Sequence, residues 1–438
     1  MERDIVSRVR RPFFLLVVVK GLLFMLLLPP WQGPDEIQHF TGVLMFAGGA
    51  PFGSTTPNEA IEASILQSLD RHDFWRLSED TIPRSVVNRG STSPVLLWFL
   101  AIPVRHLPTR DVISQLMFLR FLSVCCSLGI VWLAFQVAAQ FDPESPWTAL
   151  TAASIVAFHP QYSFISGVFS PDNYFILFLS LIVYLLCRFP YVRNKTPIVV
   201  ALFLLTGFSF FSKRAGFVAI PVCLLGLLST ILLSPASKER SRILLGFAAS
   251  VSAGVVVYLL GMFLYSPAAA WGGWILQEAM AVLSAISVEQ LTPERLIRSL
   301  GVFYVSFWFS YGWMIYKLSY GWYLVLGAMT LLSVGGVVVL IAKRSHRERL
   351  DTRVLLVALI SVFFVVTLYL SVVLFRPVTA HGRFLFPVIV PLAVLMAVGI
   401  RACVPAVYKD SACIVTILFF IALNGLCLLK YLIPIFYL

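Results

Sequence analysis

The tightest cluster of chemically capable residues is Gly33-Pro34-Asp35-Glu36-Ile37-Gln38-His39, directly after the first apolar run. Gly33 and Pro34 break a helix, and Asp35 can cap the next one. If a helix runs from Ile37, Asp35 and His39 lie four residues apart on one face, a spacing at which a base and a polar orienting group cooperate. An ordinary cap with a solvated acidic turn is the alternative. A second acid, Asp172, lies with Asn173 in Ser166-Gly167-Val168-Phe169-Ser170-Pro171-Asp172-Asn173, where capping a helix before Tyr174 would also explain it. His159 opens His159-Pro160-Gln161-Tyr162 inside an apolar stretch. A polar group there either lines a cavity or is hydrogen-bonded in the core, because a charge at the membrane centre costs about 2.5–3.5 kcal/mol.

Cations complete the chemistry. Lys213 and Arg214 stand between two short apolar runs, and Arg376, His381 and Arg383 share the stretch from Phe375 to Arg383. Guanidinium groups grip phosphate in a forked geometry and lysine neutralises it as a point charge. Snorkelling to anionic headgroups is the alternative for each cation taken singly. Arg120 lies near one end of its apolar run and is open to either role. Trp308, Tyr311, Trp313, Tyr316, Tyr320 and Trp322 crowd one short stretch. They read as an aromatic belt at a membrane interface, with a sugar-stacking platform as the second possibility.

The elements that must position these groups are membrane helices. Of 438 residues 59% are hydrophobic and 12% charged, and the mean hydropathy is +0.89, which excludes an ordinary soluble fold. Apolar runs of about 20 residues, each able to cross a bilayer, recur along the chain. About eleven spans are expected, at 12–30, 115–140, 147–166, 172–190, 197–211, 215–234, 243–266, 322–342, 353–375, 383–400 and 412–435. The fold expected is an all-α polytopic bundle forming one membrane domain over 1–438, with no separate soluble domain. Arg3, Arg8, Arg10 and Arg11 precede the first run, which reads as a retained anchor because no small-residue cleavage pattern follows it. The formal charge of +12 is spread over short loops rather than gathered on one face, which argues against nucleic acid as a partner. The seven cysteines lie almost wholly within apolar runs and suit small hydrophobes better than a disulfide or metal framework.

Sidedness follows from the basic residues. Pro94 to Val104 is apolar but too short to span, and reads as an interfacial helix. The loops around Arg188 to Lys195, Lys238 to Arg242 and Lys343 to Arg353 then fall with the N-terminus in the cytoplasm. A first outer loop over 31–113, the turn at Asp172, a second outer loop over 266–321 and the turn from Arg376 to Arg383 fall outside. The Asn194-Lys195-Thr196 sequon is placed inside and carries no weight. The expected location is the plasma (inner) membrane, with membrane lipids around the bundle and the candidate site on the outer face.

These pieces, in order along the chain, resemble the GT-C superfamily of multi-pass membrane glycosyltransferases that use polyprenyl-phosphate-linked sugars, nearest its uncharacterised bacterial members. The matching segments are Pro34-Asp35-Glu36 with His39, Ser93-Pro94, Arg120-Phe121-Leu122-Ser123, the Gly167 to Asn173 turn, Ser306-Phe307-Trp308 with Gly312-Trp313, and Gly382-Arg383-Phe384-Leu385-Phe386-Pro387. The chain departs from the family pattern at Ser170 and Pro171, where Asn or Asp is common, and at Phe384, where Tyr is common.

The resemblance implies a catalytic aspartate in the first outer loop, matched by Asp35, with Glu36 beside it. Asp35 would take the proton of an acceptor hydroxyl as that oxygen attacks the anomeric carbon and the lipid phosphate departs from the opposite face. Lys213, Arg214, Arg376 and Arg383 are the cations that topology brings nearest to the leaving phosphate. A divalent metal (Mg or Mn) held by Asp35, Glu36 and Asp172 is an open option, since family members differ in metal use. The expected partners are a polyprenyl-phosphate-linked sugar donor and a lipid or glycan acceptor. A transporter or flippase of lipid-linked glycans is the runner-up, followed by a noncatalytic envelope-assembly protein.

Overall fold

A computed structural model describes residues 2–51, 57–71, 94–232, 293–311, 316–342, 352–375 and 381–438. Among them the chain is helical, apart from one bridge pairing Tyr311 with Tyr316. The helices are α1 (Glu2–Leu27), α2 (Glu36–Ala47), α3 (Glu59–Arg71), α4 (Pro94–Arg105), α5 (Val112–Phe141), α6 (Pro146–Ala157), α7 (Pro160–Gly167) and α8 (Pro171–Arg188). They continue with α9 (Thr196–Ser212), α10 (Ala219–Leu232), α11 (Pro293–Trp308), α12 (Tyr320–Ala342), α13 (Thr352–Phe375), α14 (Ile389–Ala402) and α15 (Lys409–Leu426). The expected span over 243–266 lies outside the described residues.

Among the described residues, five stretches are long and apolar enough to cross a membrane: Val112–Phe141, Pro171–Tyr191, Tyr320–Ala342, Gly382–Ala402 and Ala406–Tyr437. With the shorter apolar helices between them, they make a multi-pass membrane bundle. The count differs from the expected eleven partly because apolar runs are broken. The run at 147–166 divides into α6 and α7 at Phe158 and His159, since Pro160 has no N–H for α6 to use and starts a new helix instead. In the last run α15 passes into a π-helical turn, Cys427–Leu432, just before Pro434, whose missing N–H and ring disturb the preceding turn.

Helix α6 is the centre of the bundle: Thr148 to Ala157 are all buried, against α5, α14 and α15. α12 meets α14 backbone to backbone, and a Cβ added to Gly336 would fall 1.8 Å from the Gly399 carbonyl oxygen. Small residues allow that approach, where dispersion and weak polar contacts replace the hydrophobic drive that lipid does not supply. At one end of the bundle Arg401 ties α14 to its neighbours. It reaches Asp410 at 3.0 Å, Asp142 at 3.7 Å and the Ser145 hydroxyl. At the opposite end a second apolar cluster forms, from Trp31, Ile37, Phe40 and Val43 with Ile65 and Leu69 of α3, Leu97 and Leu100 of α4, and Leu116 and Leu119 of α5. Trp98, Phe99 and Ile102 on the other side of α4 stay exposed. That short helix thus presents apolar residues both to the protein and outward.

Candidate functional site

The site begins with the chain's exit from α1. Trp31 and Asp35 take positive φ values of 71° and 59°, a region where a non-glycine residue is strained by about 1–2 kcal/mol. Surrounding contacts hold the turn in place. The buried Trp31 indole donates to the Ser68 hydroxyl at 3.1 Å. Glu36, fully buried, accepts from Arg120 through both oxygens (Nε to Oε1, 2.8 Å; Nη2 to Oε2, 2.7 Å) and from the Phe169 N–H at 2.8 Å. Arg120 spends its remaining donors on carbonyls left over at the end of α1, Leu28 at 2.5 Å and Pro29 at 2.9 Å. One buried pair therefore joins α1, α2, α5 and the turn between α7 and α8.

The clamp sends neighbouring carboxylates in opposite directions. Asp35 occupies the N-cap position of α2, and its carbonyl accepts from His39 N–H at 3.1 Å. Its side chain makes no capping bond, because the left-handed backbone turns it away from the helix. It meets Arg383 instead, Oδ2 to Nη2 at 2.9 Å. The expectation that Asp35 caps α2 through its carboxylate is corrected accordingly. Asp172 is likewise no N-cap: Ser170 holds that position and accepts from the Asp172 N–H at 3.2 Å, while Asp172 in the first turn of α8 pairs with Lys213.

Both cations stand on short irregular segments. Lys213 is the extended residue that ends α9, before the 3-10 turn Arg214–Val218. Arg383 begins the 3-10 turn Gly382–Val388, where Gly382 N–H donates to the Ser306 hydroxyl at 2.7 Å and Arg383 N–H to His381 Nδ1 at 3.1 Å. The two cations share one aromatic ring: Lys213 Nζ lies 5.2 Å and the Arg383 guanidinium 5.5 Å from the Phe384 centroid. Asp172, Phe175, Ile176, Lys213, Arg383, Phe384 and Pro387 line a narrow hollow between α8, the Lys213 segment and the 3-10 turn. The hollow combines paired charge on one side with an apolar wall on the other, the combination a phosphorylated lipid head requires.

Gly382 is what lets Arg383 arrive there. A Cβ on Gly382 would lie 2.1 Å from Phe307 N, on the backbone of α11. Gly382→Ala is expected to push the 3-10 turn off α11, lowering stability by about 1–3 kcal/mol and displacing Arg383. Thermal unfolding together with binding of a polyprenyl phosphate measures both; unchanged values would show that the turn does not depend on this contact.

Electrostatics favour an ionised Asp35. Burial pushes its carboxyl up, but the groups around it, Arg383 foremost through charge and hydrogen bond, together outweigh this, and the group lies below its ordinary 3.8. Burial depresses both nearby histidines, His39 from 6.5 to about 4 and His381 to about 3. Both are therefore neutral at neutral pH. An unfolded histidine takes up a proton near 6.5 while folded His39 resists until about 4, so His39 contributes no pH-dependent penalty above 6.5 and destabilises progressively as pH falls toward 4. The loss at pH 5 is expected to be no more than about 2 kcal/mol from this residue, visible as a lower Tm at pH 5 than at pH 7.5. His39→Gln should flatten that slope, and an equal slope in the variant would exclude His39 as its source.

Several residues singled out in the sequence serve elsewhere. Glu36, read as a second reactive or metal-holding carboxylate, has both oxygens committed to Arg120 and does not line the hollow. Arg120, read as a phosphate or headgroup cation, is buried on Glu36. The metal set of Asp35, Glu36 and Asp172 does not fit: Glu36 is sequestered by Arg120, and the two carboxylates that remain are a thin ligand set for an octahedral ion. Among the described residues no three His, Cys, Asp or Glu side chains converge on one point. His159 is buried at the α6–α7 break, stacked on Trp308 at 5.0 Å with its Nδ1 accepting from Tyr162 N–H, and it takes the core role. Asn173 donates to the Ile165 carbonyl at 3.0 Å and closes the end of α7. Arg214 has its backbone in the 3-10 turn, and Trp313 and Arg376 lie outside the described residues. Sequence reasoning did not single out Ser306, Gly382 or Phe384 for the site. Their signals were the Ser306-Phe307-Trp308 segment and the Gly382-Arg383-Phe384 motif, in which Gly and Phe position the arginine.

Fold and sequence pattern together define a multi-pass helical membrane protein. The chain belongs to the family described as "Predicted membrane protein (DUF2142)", which matches residues 17–392. No curated protein matches it. Among solved structures it is similar to ArnT from Cupriavidus metallidurans bound to undecaprenyl phosphate, with a TM-score of 0.50 and 14% identity over 98% of this chain and 74% of that one. The apo form of ArnT gives a TM-score of 0.49 and 14% identity over 96% of this chain. The chain spans 64% of the length of that apo structure. At this identity the likeness is one of fold.

Proposed function

We propose that the protein transfers a sugar from a polyprenyl-phosphate donor to a lipid or glycan acceptor at the outer face of the plasma (inner) membrane, with its N-terminus in the cytoplasm. The observation that carries this reading is a narrow hollow with an apolar wall lined by Arg383, Lys213 and Asp172, with Asp35 joined to it through its ion pair with Arg383. The ArnT likeness supports it at the level of fold.

The reaction is a single displacement with inversion. Asp35, ionised at neutral pH, accepts the proton of the acceptor hydroxyl. The acceptor oxygen forms its bond to the anomeric carbon as the bond from that carbon to the phosphate oxygen breaks, and the electron pair leaves with the phosphate. Arg383 and Lys213 neutralise the charge that gathers there. No covalent sugar intermediate on a carboxylate is involved, unlike a retaining glycoside hydrolase. Divalent metal (Mg or Mn) takes no step in this scheme, because the carboxylate set does not suit one.

Arg383→Ala tests the phosphate assignment. It is expected to weaken binding of a polyprenyl phosphate by about tenfold or more, the range for losing one charge-assisted contact in a partly buried site, with no effect on binding of the uncharged polyprenol. Equal affinity of the variant and the parent protein for polyprenyl phosphate would remove Arg383 from the site.

A further inference from the structure

We propose that Asp35 and Asp172 act as exchangeable counter-ions, displaced from Arg383 and Lys213 when the lipid phosphate binds and returning to them to expel it after transfer. This rests on the polyprenyl-phosphate reading above and adds a role for both carboxylates in ligand turnover.

The argument comes from the contrast between ion pairs in one molecule. Arg120 and Glu36 are completely buried and saturated: the guanidinium meets the carboxylate twice and backbone carbonyls besides, and the carboxylate also receives a backbone N–H. Breaking that pair would strand charges away from water, so it is permanent. The outer pairs are built differently. Asp35 and Arg383 touch through one oxygen and one nitrogen, with side chains 34% and 15% exposed. Arg383 Nε is buried without a hydrogen-bond partner, leaving donor capacity in the site unmet. Lys213 meets Asp172 through one oxygen, the side chains being 27% and 13% exposed. Such pairs are held by one contact each and can be remade at modest cost.

Geometry makes the exchange concerted. Both cations lie against Phe384 and line the same hollow, so one phosphate entering it is offered both. In the resting arrangement two carboxylates and two cations cancel. A donor phosphodiester carries one negative charge and must displace them, which also frees Asp35 to accept the acceptor proton. The product is a phosphate monoester with charge approaching two, the tighter ligand for a pair of cations. The carboxylates supply the competition that lets it leave.

The test uses undecaprenyl phosphate as probe with the full chain in lipid nanodiscs. Asp172→Asn should tighten its binding about three- to tenfold, the span expected when a single-contact ion pair no longer competes, and Asp35→Asn should do the same independently. A density map of the parent protein with the probe bound should show Arg383 and Lys213 on phosphate oxygens, and Asp35 and Asp172 beyond ion-pair distance. The map needs no variant, so a failure of either variant to fold leaves the test intact. Probe bound at both cations with either carboxylate still paired, or variants with unchanged or weaker affinity, would overturn the exchange and leave the phosphate site standing. Absence of binding to the parent protein, or binding away from Arg383 and Lys213, would overturn the exchange and the phosphate reading together.

Discussion

Asp35→Asn should lower sugar transfer by about 10²–10⁴-fold, the contribution of a positioned general base, while the helical bundle and the capacity for lipid phosphate persist. The amide keeps the shape of the carboxylate but cannot take the acceptor proton at neutral pH. The Asp35 side chain is 34% exposed, and the amide oxygen can still accept from Arg383, so the guanidinium keeps a hydrogen-bond partner. The measurement is turnover with purified protein and a lipid-linked sugar donor, alongside binding of polyprenyl phosphate. Transfer surviving in the variant at parent rates would end the assignment of Asp35. Loss of transfer together with loss of lipid binding would point to a positional role.

The second large effect is on folding. Arg120→Met should cost about 3–5 kcal/mol, the usual penalty for removing one member of a buried ion pair. It leaves Glu36 charged at zero exposure and strips the Leu28 and Pro29 carbonyls of their donor. In a protein of ordinary marginal stability this is a large fraction of the total, read as lost yield or a sharply lower Tm in detergent. Replacing both members, with Glu36→Leu added, should recover a substantial part, since two apolar groups strand no charge. Equal stability of Arg120→Met and the parent protein would show that the pair is not structural.

Most of the membrane architecture was legible because apolar runs and basic loops are strong signals. The grouping of Asp35 with Arg383 and Lys213 was legible for the same reason: placing each loop by its charges put cations where cations are unusual. The roles within the cluster were not. Asp35 and Glu36 are neighbours of one chemical type, and what separates them is a left-handed backbone at Asp35, which no pattern of residue types reveals. Arg120 presented a similar ambiguity, since a cation near a helix end can turn outward to phosphate or inward to a carboxylate. Its true partner is 84 positions away in the chain. The break at Phe158 and His159 was readable from Pro160, but the apolar run around it favoured one continuous span.

The knot around Arg401 bears on what kind of machine this is. A carrier that opens alternately to either side must let its helices part at one face while they close at the other. Here a guanidinium answers to Asp142, after α5, and Asp410, at the start of α15, so the ends of those helices remote from Asp35 are laced together. A bundle laced at its base suits chemistry done at a stationary rim, with lipids visiting from the side, and works against ferrying a cargo through the middle.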